Sequence, residues 1–242
     1  MTIMIEQQRT IALIVYPGMT PLDLVGPLQV LSGLAALDSR FRVALVAENT
    51  DPMPTDSLLR VCADHVFDQV PDPYAVIVPG GMAPTMRAMT DEKLQEYLRD
   101  TAPGAHRMGS VCTGSLVLGA AGLLTGREAT SHWAFLPLLA GFGATPVRRR
   151  WAEDGPVLTA AGVAAGIDMA LHLVATLAGA EAARRVQLVI EYDPEPPLGP
   201  LDWETADTAA FAPSLPEYAL REGLREHPEL QARLAAHLST PL

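Results

Sequence analysis

The chain is poor in thiols and in lysine: Cys62 and Cys112 are its two cysteines, and Lys93 is the one lysine in 242 residues. Two cysteines build no disulfide framework, and neither shows the CxxC spacing of a zinc site. That points to a reducing compartment. Positive charge is scarce as well, since 17 Lys and Arg against 28 Asp and Glu leave a formal net charge of −11. Such a balance excludes a surface made for nucleic acid or for anionic lipid. No apolar run approaches the roughly 18 residues of a membrane-spanning helix. The start, MTIMIEQQRT, is polar and lacks the apolar run and small-residue cleavage site of a secretory signal. A cytoplasmic protein is expected. GxGxxG and the Walker lysine are missing too, and GGMAP (80–84) resembles a phosphate-cradling turn only faintly. His65, His106, His132, His172, His227 and His237 are scattered without metal-ligand spacing, and His172 with Asp168 reads as a structural i,i+4 pair.

What is present is apolar residue at 49% against 19% charged, enough for a buried core in a globular protein. Continuous β-rich runs at Thr10–Gly18, Phe41–Glu48 and Tyr74–Gly81 read as strands buried on both faces. Between them lie helical patterns: one after Asp23, interrupted early by Gly26-Pro27, and one at Asp91–Thr101 with Asp91 as cap. His106–Val111 leads into Cys112, and Thr113–Leu123, Ala164–Gly179 and Glu181–Glu191 are further helices. Met53–Val70 reads as a small hairpin carrying Cys62. Short strands are expected in REATSHW, ATPVRRRWAE and PVLTAAG, with Arg148–Arg150 as a solvated charge run. Strands alternating with helices predict an α/β domain around a mostly parallel sheet. Beyond Asp193 the chain turns rich in proline and acid, and a final amphipathic helix from Glu217 breaks at Pro228. One domain with a C-terminal extension is the better reading of so short a tail.

In open α/β sheets ligands bind at the carboxyl ends of strands, where the strand order switches. Asp23, Gly80-Gly81 and Cys112 each follow a predicted strand. Cys112 precedes a helix, whose free amides and dipole favour a thiolate, and small neighbours permit a nucleophile elbow. The competing reading is a small buried structural cysteine. A thiolate chemistry needs donors for developing charge, for which the Thr113 and Gly81 amides are candidates, and an acid, for which Asp23 is the candidate. A desolvated Asp23 stays protonated; as a plain alternative it caps the following helix. His132 either lines the same crevice or is a satisfied structural histidine.

YPGMTPLDLVGPLQVL, VIVPGG, VCTGSLVLGAAGLLTGREATSHW, GVAAGIDMAL and RVQLVIEYDPEPP together resemble the ThiJ/PfpI superfamily, and within it the isonitrile hydratases, from about Arg9 to Pro197. The resemblance implies a flavodoxin-like three-layer α/β sandwich, class I glutamine amidotransferase-like, with a cysteine nucleophile elbow and a homodimer. It implies a ThiJ/PfpI-like domain over 1–197, with 198–242 as an extension on the same domain. It matches Cys112 to the nucleophile, Asp23 to the essential acid, and Thr113 to the hydroxyl that bonds that acid. Gly81, Thr113 and His132 are the expected substrate-binding residues. The implied reaction is attack of the Cys112 thiolate on the terminal carbon of R–N≡C, with protonation by Asp23 to a thioimidate. Water then releases an N-substituted formamide, and no metal or organic cofactor is needed. The implied partners are a small isonitrile and water, not nucleic acid or membrane. The protease-like and glyoxalase-like branches carry histidine after the cysteine and glutamate in the first-strand region, where Thr113 and Asp23 stand here. AraC-type regulators add two helix-turn-helix units, for which the tail is too short and acidic. The remaining alternative is a non-catalytic redox or ligand sensor that keeps the fold and oxidises Cys112.

Overall fold

The computed structural model describes residues 8–212 and 214–238. The polar start at 1–7 and, within the extension, residues 213 and 239–242 lie outside the described residues. Seven strands form the central sheet: β1 (Arg9–Ile14), β2 (Phe41–Ala47), β3 (His65–Val66), β4 (Ala75–Val78), β5 (Arg107–Val111), β6 (Trp151–Asp154) and β7 (Val157–Ala160). Their order is β6-β7-β5-β4-β1-β2-β3, parallel throughout except for the antiparallel β6–β7 pair. Ile11 to Ile14 of β1 and all of β4 are buried, because helices cover both faces of a parallel sheet.

The helices are α1 (Pro21–Leu37), α2 (Ala83–Ala88), α3 (Glu92–Thr101), α4 (Gly114–Ala120), α5 (Ala165–Ala178), α6 (Ala180–Val189), α7 (Ser214–Gly223) and α8 (Pro228–Ala235). One layer is made by α1, α5 and α6 against one another; the other holds α2, α3, α4 and α7. The result is the three-layer α/β sandwich expected. After β1 the chain runs outward to β2, whereas after β4 it runs the other way to β5. The adjacent carboxyl ends of β1 and β4 are therefore the switch point, with β5 as the next neighbour.

One local expectation differs from the structure. The interruption at Gly26-Pro27 does not occur, and α1 runs through Pro27. Both residues lie against α5: a Cβ at Gly26 would sit 3.1 Å from Ile167, and one at Gly166 would sit 3.2 Å from the Pro27 ring. Close helix–helix packing outweighs the hydrogen bond that proline omits. The break expected at Pro228 is present: α7 starts a little before Glu217, and α8 begins at Pro228, where a proline suits a first turn. The Met53–Val70 hairpin is Met53–Pro54 against Arg60–Val61, with β3 then added beside β2 and Cys62 exposed. Asp91 caps α3 as expected, its carboxylate accepting from the Leu94 amide at 3.1 Å.

Ala219, Leu220 and Leu224 belong to the main core, and Gly223 abuts Met86 of α2. Leu220→Ala should therefore destabilise the whole protein by about 2–5 kcal/mol. Urea unfolding should retain one transition, followed equally by fluorescence and circular dichroism.

Candidate active site

Cys112 stands between β5 and α4 with φ 58, one of two described non-glycine residues in the left-handed region. That conformation costs about 1–2 kcal/mol and persists only where the surroundings fix it. Here the Cys112 amide donates to the Ala160 and Ala161 carbonyls at 3.1 and 2.9 Å. Its carbonyl accepts from the Ser115 and Ser131 hydroxyls at 3.2 and 3.1 Å. Gly114 completes the turn: a Cβ there would lie 2.2 Å from the Val78 carbonyl oxygen, so the elbow rests directly on β4.

Asp23 is the third residue of α1, after Thr20 as the N-cap, so it is not the cap its spacing allowed. It is fully buried. Oδ2 accepts the Gly80 amide at 2.9 Å, and Oδ1 has no fixed hydrogen-bond partner among the described residues. Gly80 is where the switch point closes. A methyl group there would lie 2.6 Å from the Thr113 hydroxyl, 2.7 Å from the Thr113 nitrogen and 2.8 Å from Asp23 Oδ2. Glycine alone lets α1, the end of β4 and the elbow meet.

Burial pushes the Asp23 carboxyl up to about 7, against the pull of the Gly80 amide and of a hydrogen bond with Cys112. Burial also raises the Cys112 thiol well above its ordinary range, and the Asp23 charge raises it further. The amides of Thr113 and Val163 act in the opposite direction on the sulfur. The thiol depression expected from a helix start is thus overturned, because desolvation and a neighbouring carboxylate outweigh the first turn of a short helix. Sulfur and carboxyl titrate as a pair that holds one proton between them over an intermediate pH range.

The sequence-derived amide pair needs the same kind of correction. The Gly81 amide is taken by the Thr113 hydroxyl at 3.0 Å, so it faces no ligand. Thr113 and Val163 supply the amides near the sulfur instead. Nor does the Thr113 hydroxyl bond Asp23. It donates to the Gly81 carbonyl at 2.7 Å and lies 2.9 Å from the Thr85 hydroxyl, while Asp23 takes the Gly80 amide. Tyr16 completes a buried chain of hydroxyls, 3.1 Å from Thr85 and donating to the Pro79 carbonyl at 2.8 Å. Neither Tyr16 nor Thr85 stands out in the sequence, since a single buried hydroxyl has no spacing to mark it.

Beside the elbow lies a cavity of about 560 Å³ whose wall includes Ser131, His132, Trp133, Val163, Arg148 and Trp203. Ser131, Ala161 and Val163 all line it, and each touches Cys112 through the bonds described above. His132 lies in this wall. Burial lowers its pKa, so it is neutral near pH 7, and its Nδ1 accepts the Ala134 amide at 3.3 Å. The remaining ring proton therefore sits on Nε2. Arg148–Arg150 are exposed, as expected of a solvated run, and also border the cavity. Arg149 pairs with Glu128 and Arg150 with Asp168, while the Arg148 guanidinium lies 5.8 Å from the Trp203 ring centroid. Asp168 and His172 do not pair: His172 bonds Glu153 at 2.7 Å.

No helix among the described residues is long and apolar enough to cross a membrane. An isonitrile hydratase of Pseudomonas putida is 38% identical over 229 residues, which cover 95% of this chain and 97% of that protein. That similarity runs well past Pro197 into the extension. A crystal structure of a ThiJ/PfpI family protein from Pseudomonas syringae superimposes with a TM-score of 0.78 at 36% identity, covering 96% of this chain and 91% of that one. Drosophila melanogaster DJ-1beta shares the fold at 19% identity, with a TM-score of 0.69 over 78% of this chain and 100% of its own. Residues 9–176 match the DJ-1/PfpI family, and the chain belongs to it.

Proposed function

We propose that this protein hydrates isonitriles to N-substituted formamides, with Cys112 as nucleophile and Asp23 as the acid–base group. The observation that carries this reading is a buried thiol and a buried carboxyl hydrogen-bonded to each other beside a cavity. With that proton on Asp23 the sulfur is a thiolate, held by the Thr113 and Val163 amides. It attacks the terminal carbon of R–N≡C, and the same carbon takes the proton from Asp23. The product is the thioimidate R–N=CH–S–Cys112, and Asp23 is left as carboxylate. The carboxylate then withdraws a proton from water as it adds to the thioimidate carbon. Asp23 passes that proton to the nitrogen, and the collapsing adduct returns its hydroxyl proton to the carboxylate. The sulfur leaves to give R–NH–CHO, so the pair again holds one proton. Isonitrile plus water equals formamide at every stage, so the cycle needs no other reactant. Thr113 positions the elbow against Gly81, and neutral His132 faces the R group from the cavity wall. Against the sensor alternative stands access: Cys112 is 6% exposed, and redox-sensing thiols are open to solvent.

Formamide release from phenyl isonitrile should be lost in Cys112→Ala and should fall by about 10²–10⁴ in Asp23→Asn, the scale of a general acid–base group. Wild-type turnover in either variant removes the mechanism. The kcat/KM profile should be a bell. Its acid limb rises near pH 7, where the doubly protonated pair loses its first proton, and its alkaline limb falls above the ordinary thiol range. A flat profile from pH 5 to 9 contradicts the shared proton.

The same carboxyl makes a stability prediction of definite sign. Its folded pKa is raised, so the folded state binds the proton more tightly, and this group weakens folding as pH climbs from about 4 to about 7. Asp23→Asn should therefore melt higher than wild type at pH 8, and the difference should shrink toward zero as pH falls to about 4.

A further inference from the structure

We propose that Trp203, on the segment between α6 and α7, forms with Trp133 the wall that selects the R group, so that the site takes isonitriles bearing an aromatic ring over small alkyl ones. This rests on the isonitrile reading and names the substrate class within it. The chain has three tryptophans and is 5% aromatic, yet two of the three meet at this cavity. Their ring centroids are 6.3 Å apart and the planes are inclined at 51°. Inclined indoles present a face and an edge together, the arrangement that a third ring packs against most favourably. Leu136, Val163 and Leu201 add apolar surface, and about 560 Å³ holds far more than an ethyl group.

The segment is fastened so that Trp203 arrives there. It leaves α6 through Glu191 at φ 50, and Tyr192 then donates to Asp168 Oδ1 on α5 at 2.9 Å. Asp168 Oδ2 accepts from Arg150 at 2.6 Å, and Arg150 lines the cavity. Arg148 lies over the Trp203 ring, a cation–π contact that steadies it. Trp203 nevertheless remains 42% exposed and Leu201 72%. Apolar side chains left open at a cavity mouth are the surface a ligand covers.

The test compares phenyl and ethyl isonitrile on wild type, Trp203→Ala and Trp203→Phe, together with calorimetric binding of N-phenylformamide. In Trp203→Ala the phenyl-to-ethyl ratio of kcat/KM should fall about tenfold, the size of one aromatic contact, and chiefly through KM for phenyl isonitrile. Trp203→Phe should recover most of the ratio. Affinity for N-phenylformamide should drop by a similar factor. An unchanged ratio, with both isonitriles still turned over, overturns the aromatic wall and leaves hydration standing. Absence of turnover in wild type, with N-phenylformamide bound and weakened by Trp203→Ala, overturns hydration and supports the aromatic site.

Discussion

Asp23 holds a carboxyl group with no exposure to water and a single backbone donor, the Gly80 amide, so very little stabilises its charge. The sulfur of Cys112 is the neighbour that responds. Whatever negative charge the site carries is divided between two buried groups, and ionising both is the state the surroundings resist most. The approach of α1, the end of β4 and the elbow is what sets this up, and it depends on the missing side chain of Gly80.

Behind that meeting point the polar groups are satisfied among themselves. Tyr16, Thr85 and Thr113 hand hydroxyl contacts along to the carbonyl of Gly81, and the Gly81 amide returns one to Thr113. A buried network of this kind is stiff, because removing any member leaves another donor or acceptor without a partner. It fixes the relative position of the Gly80-Gly81 turn and the elbow while leaving one oxygen of Asp23 uncommitted. Rigidity on one side and an open oxygen on the other is an arrangement suited to moving a proton.

Much of this can be read in the sequence because strands buried on both faces leave continuous apolar runs. Those of β1, β2 and β4 announce the sheet, and residues that follow β1, β4 and β5 announce the candidate site. Asp23, Gly80 and Cys112 are marked by where they stand. What escapes the sequence has a common cause: it depends on which distant segments touch. The sulfur's amide partner is Val163, some fifty residues along, not Gly81, whose amide is captured by a side chain from another element. Arg148–Arg150 are the exposed run they look like, but nothing local reveals that Trp203 and Asp168 face them. The Gly26-Pro27 pair suggests a break, and only the proximity of α5 explains why the helix continues.

Pro27 has a further effect on the acid. Four residues after Asp23, it offers no amide to the Asp23 carbonyl, so the first turn of α1 is one rung short of the ladder that binds the rest. An ionised Asp23 regains full hydration by leaving its place in the interior. The weakened rung is where the helix opposes that departure least. Alkaline solution therefore favours transient fraying of the Pro21–Gly26 end, and a neutral carboxyl zips it shut.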